Sequence, residues 1–222
     1  MTGMVSGRRI ILRRVRDSLG GASNMAAVDA RIVVHALGLV PLRGRVGGSD
    51  AVEAFCTRMS ANFATVVQVG AMPDVPGAVG AYLARENISG PVRVAPDARL
   101  TGLNWSGVRS GVASEDDAVG IGMALAGIAE TGTLMLASGP DAPSSLNFLP
   151  ETHIVALAAR DIVGALEDGW RILRRWNNGR MPRTVNLISG PSRTADIAMT
   201  MFMGAHGPKR LHVIVVGPDA AR

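Results

Sequence analysis

Cysteine is almost missing from this chain of 222 residues: Cys56 stands alone. No internal disulfide can form, and one thiolate cannot build an iron–sulfur cluster or a cysteine-type zinc site. The pattern fits a reduced compartment, most simply a bacterial cytoplasm. Histidine is also scarce. His35, His153, His206 and His212 show no paired metal-ligand spacing. Lysine is nearly absent, since Lys209 is the only one among 23 basic residues. Aromatics make up 4% of the chain. Scattered arginines with so few aromatics argue against a nucleic-acid binder, despite a net charge of +5. Long apolar runs are lacking too. The longest uncharged stretch, Met59 to Pro73, is shorter than the roughly 18–20 residues of a membrane-spanning helix. No apolar core follows the arginines between positions 8 and 16, so no secretory signal is expected there.

What is present is a large apolar fraction, 47%, ample for a folded core. Residues 8–19 read as an amphipathic helix with Ile11, Val15 and Leu19 on one face and five arginines around it. That pattern fits either a solvated packed helix or a docking surface for an acidic partner. Helices are expected at 26–39, from Ser49 to about Asn62, and from Pro73 to about Asn87. Short β-branched runs predict strands at 64–69, 92–94, 133–137, 154–158, 184–188 and 211–216. Residues 118–130 read as helical or mixed, Asp161 as the cap of a helix carrying Ile162, Leu166, Trp170 and Leu173, and 192–203 as a helix. The alternation predicts an α/β protein with a mainly parallel sheet buried on both faces. One domain over 1–222 is expected, with an N-terminal helical segment at about 1–40.

Three segments could carry chemistry. In Asn186 to Asp196 a strand meets a Gly-Pro turn, and a helix is expected to follow. Ser189, Gly190, Ser192, Arg193 and Thr194 would then form an anion site at a helix N-terminus, with Arg193 gripping a carboxylate or phosphate. The same residues also suit a plain capped helix. The Gly-Lys-Ser/Thr ending of a P-loop is absent. In the second segment, Glu130 is the only acid between Asp117 and Asp141. With Thr131, Gly132 and Thr133 it could be a general base, a nucleophile or a ligand anchor, or a carboxylate pinning two elements together. In the third, glycines flank His206, which could accept a proton or serve as a structural hydrogen-bonder. His153, entering a strand, reads as core or rim. The Ser/Gly/Pro-rich loop 138–150 suits a rim over a site.

The motifs IAETGT at 128–133, LNFLPETHIVAL at 146–157, ISGPSRTADI at 188–197 and GAHGP at 204–208 resemble the LUD-domain family in order and spacing. Relatives often carry an arginine shortly before the Leu-Pro segment, where this chain has Ser144 and Ser145. The resemblance implies a three-layer α/β/α fold similar to the ribose-5-phosphate isomerase and CoA-transferase group. It also implies a role in oxidising L-lactate to pyruvate beside two iron–sulfur partner proteins, with a small carboxylate as ligand. Oxidising a 2-hydroxy acid needs an electron acceptor. This chain has no dinucleotide-binding turn and no cluster cysteines, so iron–sulfur clusters are expected in the partners and no cofactor in the chain. Arg193 would hold the anion, and Glu130 or His206 would take a proton. Two other readings remain open: a non-catalytic assembly or regulatory subunit, and an independent acyl-CoA or phosphosugar enzyme with Glu130 as nucleophile.

Overall fold

The computed structural model describes residues 7–18, 25–34, 38–196 and 200–217. By internal contacts the chain divides at Leu39/Val40. The first unit contains α1 (Gly7–Ser18) and α2 (Met25–Val34). None of α1's residues is buried, and Ile10, Ile11, Leu12 and Val15 are all exposed. Leu19, expected on the same apolar face, lies outside the described residues.

The second unit holds the remaining elements, in chain order: α3 (Gly48–Ala61), β1 (Thr65–Val69), α4 (Val75–Arg85), β2 (Val92–Val94), α5 (Ala98–Thr101), β3 (Arg109–Ser110), β4 (Val119–Met123), β5 (Ala126–Ile128), β6 (Thr133–Ala137), α6 (Ser145–Phe148), β7 (Thr152–Ala158), β8 (Ile162–Val163), α7 (Leu166–Trp176), β9 (Val185–Ile188), β10 (Arg193–Asp196), β11 (Thr200–Met203) and β12 (Arg210–Val216). The main sheet has the order β1-β12-β7-β4-β2-β3, and every pair in it is parallel. A second sheet, β8-β5-β6-β9, is mostly antiparallel, and β10 and β11 form a separate hairpin.

Alternation along the central strands explains the layers. Ile154, Ala156 and Ala158 of β7, with Ile214 and Val216 of β12, face Val75, Val79 and Tyr82 of α4. Val155, Leu157, Val213 and Val215 face the other way, onto Ala51, Phe55 and Met59 of α3 and Leu134 and Leu136 of β6. On the far side of the second sheet, Ile128 and Met135 pack on Leu173 of α7. Each of these large side chains contributes roughly 1.5–3 kcal/mol by leaving water. The result is a three-layer α/β fold with mixed parallel and antiparallel sheets.

Three expectations need correction. Residues 118–130 form β4 and β5, because Gly120, Gly122 and Gly127 each penalise a helix by about 1 kcal/mol. Gly120 also gives α6 room, since a side chain there would meet the Leu146 carbonyl at 2.7 Å. Asp161 does not cap a helix. It ends a 3-10 turn, Ile162 and Val163 pair with β5, and α7 starts only at Leu166. Residues 193–196 and 200–203 form the hairpin rather than a helix, with Ala195 opposite Met201. The hairpin is closed at its base, where Gly204 N–H donates to the Ser192 carbonyl and Ser192 N–H donates to the Pro208 carbonyl.

Candidate functional site

Because a hairpin follows the Gly-Pro turn, no helix dipole points at residues 189–192, and an anion site of that kind is not formed. The turn instead walls a cavity of about 170 Å³. Ile188, Gly190, Pro191 and Ser192 form one side, His206, Gly207, Pro208 and Leu211 another, and Asn147, Phe148 and His153 the rest. Asn147 and His153 are buried, and His206 is exposed. His153 begins β7 and is 1% exposed. Its Nε2 is buried without a hydrogen-bond partner. Burial pushes this imidazole down to about 4, so it is neutral at pH 7. A neutral imidazole nitrogen can take a hydrogen bond from a hydroxyl or give one to a carboxylate, according to its tautomer.

The predicted site residues fall into groups. Gly190, Ser192 and His206 line this cavity. Ser189 turns away from it: its Oγ lies 2.5 Å from Thr133 Oγ1, which lies 2.7 Å from Thr131 Oγ1. Gly132 has φ +62° and packs on the end of α3. Glu130 is buried, with its Oε2 unpartnered and against Gly44, and it is not among the residues lining the cavity. Arg193 is exposed and also outside the lining; its guanidinium lies 4.4 Å from the Phe63 ring centre. Thr194 belongs to β10, where only its backbone is described. His206 thus lines the cavity and Glu130 does not, and the hydroxyl row Thr131–Thr133–Ser189 has no hydrogen bond to the unpartnered Glu130 Oε2. Asn147 and His153 are the additions that sequence reasoning did not place in a site. Both lie within the LNFLPETH stretch, the one local signal available. Ser145 accepts a hydrogen bond from Ala113 N–H at 3.2 Å.

Among the described residues no group of three or more His, Cys, Asp or Glu side chains could hold a metal ion. No described helix is long and apolar enough to cross a membrane. Cys56 is a free thiol that burial pushes up.

Residues 113–216 match the family model of the LUD domain. Over that segment the chain is similar to the LUD-domain family. An uncharacterized protein of Neisseria meningitidis is 41% identical over 100 residues, which cover 45% of this chain and 42% of that protein. Lactate utilization protein C of Bacillus subtilis is 35% identical over 105 residues, 46% of this chain and 44% of that protein. Its counterpart in Geobacillus kaustophilus is 33% identical over 106 residues, 47% and 44%. The chain thus matches less than half the length of these curated relatives. The crystal structure of a DUF162 family protein from Deinococcus radiodurans superposes with TM-score 0.56, covering 78% of this chain and 99% of that one at 22% identity, which speaks to the fold. The LUD segment includes every residue lining the 170 Å³ cavity.

Proposed function

We propose that this protein works in lactate utilization, binding a small 2-hydroxy or 2-oxo carboxylate in the cavity between the 189–192 turn and the 206–208 loop. The supporting observation is buried His153, one of the residues lining that cavity, whose Nε2 has no hydrogen-bond partner and which lies inside the segment that matches the LUD domain. A buried polar atom without a partner costs about 1–3 kcal/mol, and a ligand hydroxyl or carboxylate would relieve it. Asn147 would orient the same ligand. Arg193, next to Ser192, would grip the carboxylate by swinging off Phe63. His206, on the open side, would take the hydroxyl proton; Glu130 is the second candidate for that role. Oxidation of L-lactate to pyruvate releases two electrons and two protons. The electrons would pass to iron–sulfur partner proteins, with the fold related to the ribose-5-phosphate isomerase and CoA-transferase group.

Calorimetric titration of the full chain with L-lactate and pyruvate tests this reading. Binding should weaken about tenfold or more in Asn147→Ala and in Arg193→Ala, while the melting temperature of Arg193→Ala is unchanged. In the reconstituted system Arg193→Ala should also abolish lactate-dependent electron transfer. Full activity with that variant removes Arg193 from the site, and no binding of either acid removes the carboxylate reading of the cavity. A non-catalytic assembly role is the second reading. It is favoured by the exposure of all four large apolar residues of α1 beside five arginines. Retention of an iron–sulfur partner by a chain that binds neither acid would support it.

A further inference from the structure

A second concave region lies at the opposite end of the main sheet. The parallel strands β7, β4 and β2 are neighbours, and the segments leaving their carboxyl ends supply Arg160 with Asp161, Leu125 and Arg99. In open α/β sheets that edge is where ligands bind, since the loops there converge above the strand ends. The opposing wall is one face of α7: Asp168, Arg171, Ile172, Arg175 and Trp176 fall at helical spacing i, i+3, i+4, i+7 and i+8. The groove measures about 780 Å³, within the range of about 300–1,000 Å³ usual for small-molecule sites.

Its chemistry is specific. Four guanidiniums line it against two carboxylates. Asp168 accepts a hydrogen bond from the Ala165 N–H and pairs with Arg171, so with Arg175 the α7 wall keeps a net positive charge. Arg175 donates its Nε to the Arg171 carbonyl, which fixes the base of its fork. Trp176 is a large aromatic surface left 52% exposed. It stands at the seam between this groove and an adjoining cavity of about 320 Å³, which shares Arg99 and Leu125 and adds Asp97 and Asp141. Guanidinium forks bind phosphate bidentately, an exposed indole stacks on a flat ring, and carboxylates accept from sugar hydroxyls.

We propose that the groove between α7 and the carboxyl ends of β2, β4 and β7 binds a nucleotide, with its phosphates on Arg171 and Arg175 and its base stacked on Trp176. Asp141 is placed to accept from the sugar, while Asp97 is held in a two-point pair with Arg99. This site does not depend on the carboxylate reading of the other cavity.

The test uses the full chain and ADP as the probe, followed by calorimetry and by tryptophan emission. ADP binds and quenches emission, and orthophosphate and adenosine each bind at least about tenfold more weakly. Arg171→Glu with Arg175→Glu weakens ADP binding about tenfold or more, and so does Arg175→Ala, the milder change at an exposed position. Trp176→Ala removes the quench. The proposal is overturned if ADP does not bind, if its affinity ignores the Arg175→Ala change, or if orthophosphate or adenosine binds as tightly as ADP.

Discussion

Two buried histidines set the acid behaviour of single residues in this protein. Burial pushes His153 to about 4, and burial followed by the charge of Arg85 pushes His212 to about 4. In the unfolded chain each titrates near 6.5. Their contribution to stability is therefore complete above about pH 6.5 and is lost as pH falls towards 4, because the unfolded chain then takes up protons that the folded one excludes. For His153 the loss is on the order of 3 kcal/mol. His153→Gln should roughly halve the decline in urea midpoint between pH 6.5 and 4.5. An undiminished decline would mean that the folded protein admits a proton at His153. Asp117 is also shifted down, from a different cause. Burial alone would raise its pKa, but the Ser114 N–H, the Arg93 guanidinium 3.0 Å away and the Ser114 hydroxyl together hold it below the usual carboxylate range. Nothing in the local sequence marks His153 as exceptional. Its burial and its vacant nitrogen arise from β7 lying between β4 and β12, a pairing between distant parts of the chain.

At the scale of elements, the strands with dense β-branched runs were legible: β1, β2, β6, β7, β9 and β12 all lie where the sequence predicts them, within a residue or two. The β10–β11 hairpin was not. Ala195, Ala198, Met199 and Phe202 fall at helical spacing, and local propensity offers little against it. The hairpin is decided instead by hydrogen bonds from Ser192 to Pro208 and from Gly204 to Ser192. The β5–β6 turn shows the same dependence on a neighbour. Arg58 of α3 donates to the Ala129 carbonyl at 2.9 Å, Asn62 donates to the Thr131 carbonyl at 3.1 Å, and Gly132 brings the turn onto the α3 backbone. A Cβ at Gly132 would lie 2.7 Å from Met59 N, and φ +62° is already costly for any side chain. Gly132→Ala should therefore cost on the order of 2–3 kcal/mol, read as a lower denaturation midpoint at unchanged m-value. A loss below about 0.5 kcal/mol would show that the turn can move off α3. The IAETGT motif was thus legible as a motif, while the packing duty of its glycine was visible only with α3 in place.

For the molecule as a whole, the division at Leu39/Val40 separates stability from the arginine-rich helix. No described residue of 1–39 belongs to the three apolar cores. Removing residues 1–39 should leave the melting temperature of the remainder within about 2 °C of the full chain. A larger drop would assign those residues a share in the cores. The α/β class was readable from the alternation of runs and helices and the three layers from the family resemblance, but the second sheet was not, because its pairings join β5 with β8 and β6 with β9 across long stretches of chain. The main sheet carries a consequence for biosynthesis. Its interior strand β12 comes last in sequence among the described strands, seated between β1 and β7. While the ribosome is still making residues 210–216, the nascent polypeptide holds two sticky strand edges with the middle rung missing, so the sheet can close only once those residues have emerged, and chaperones have a defined target until then.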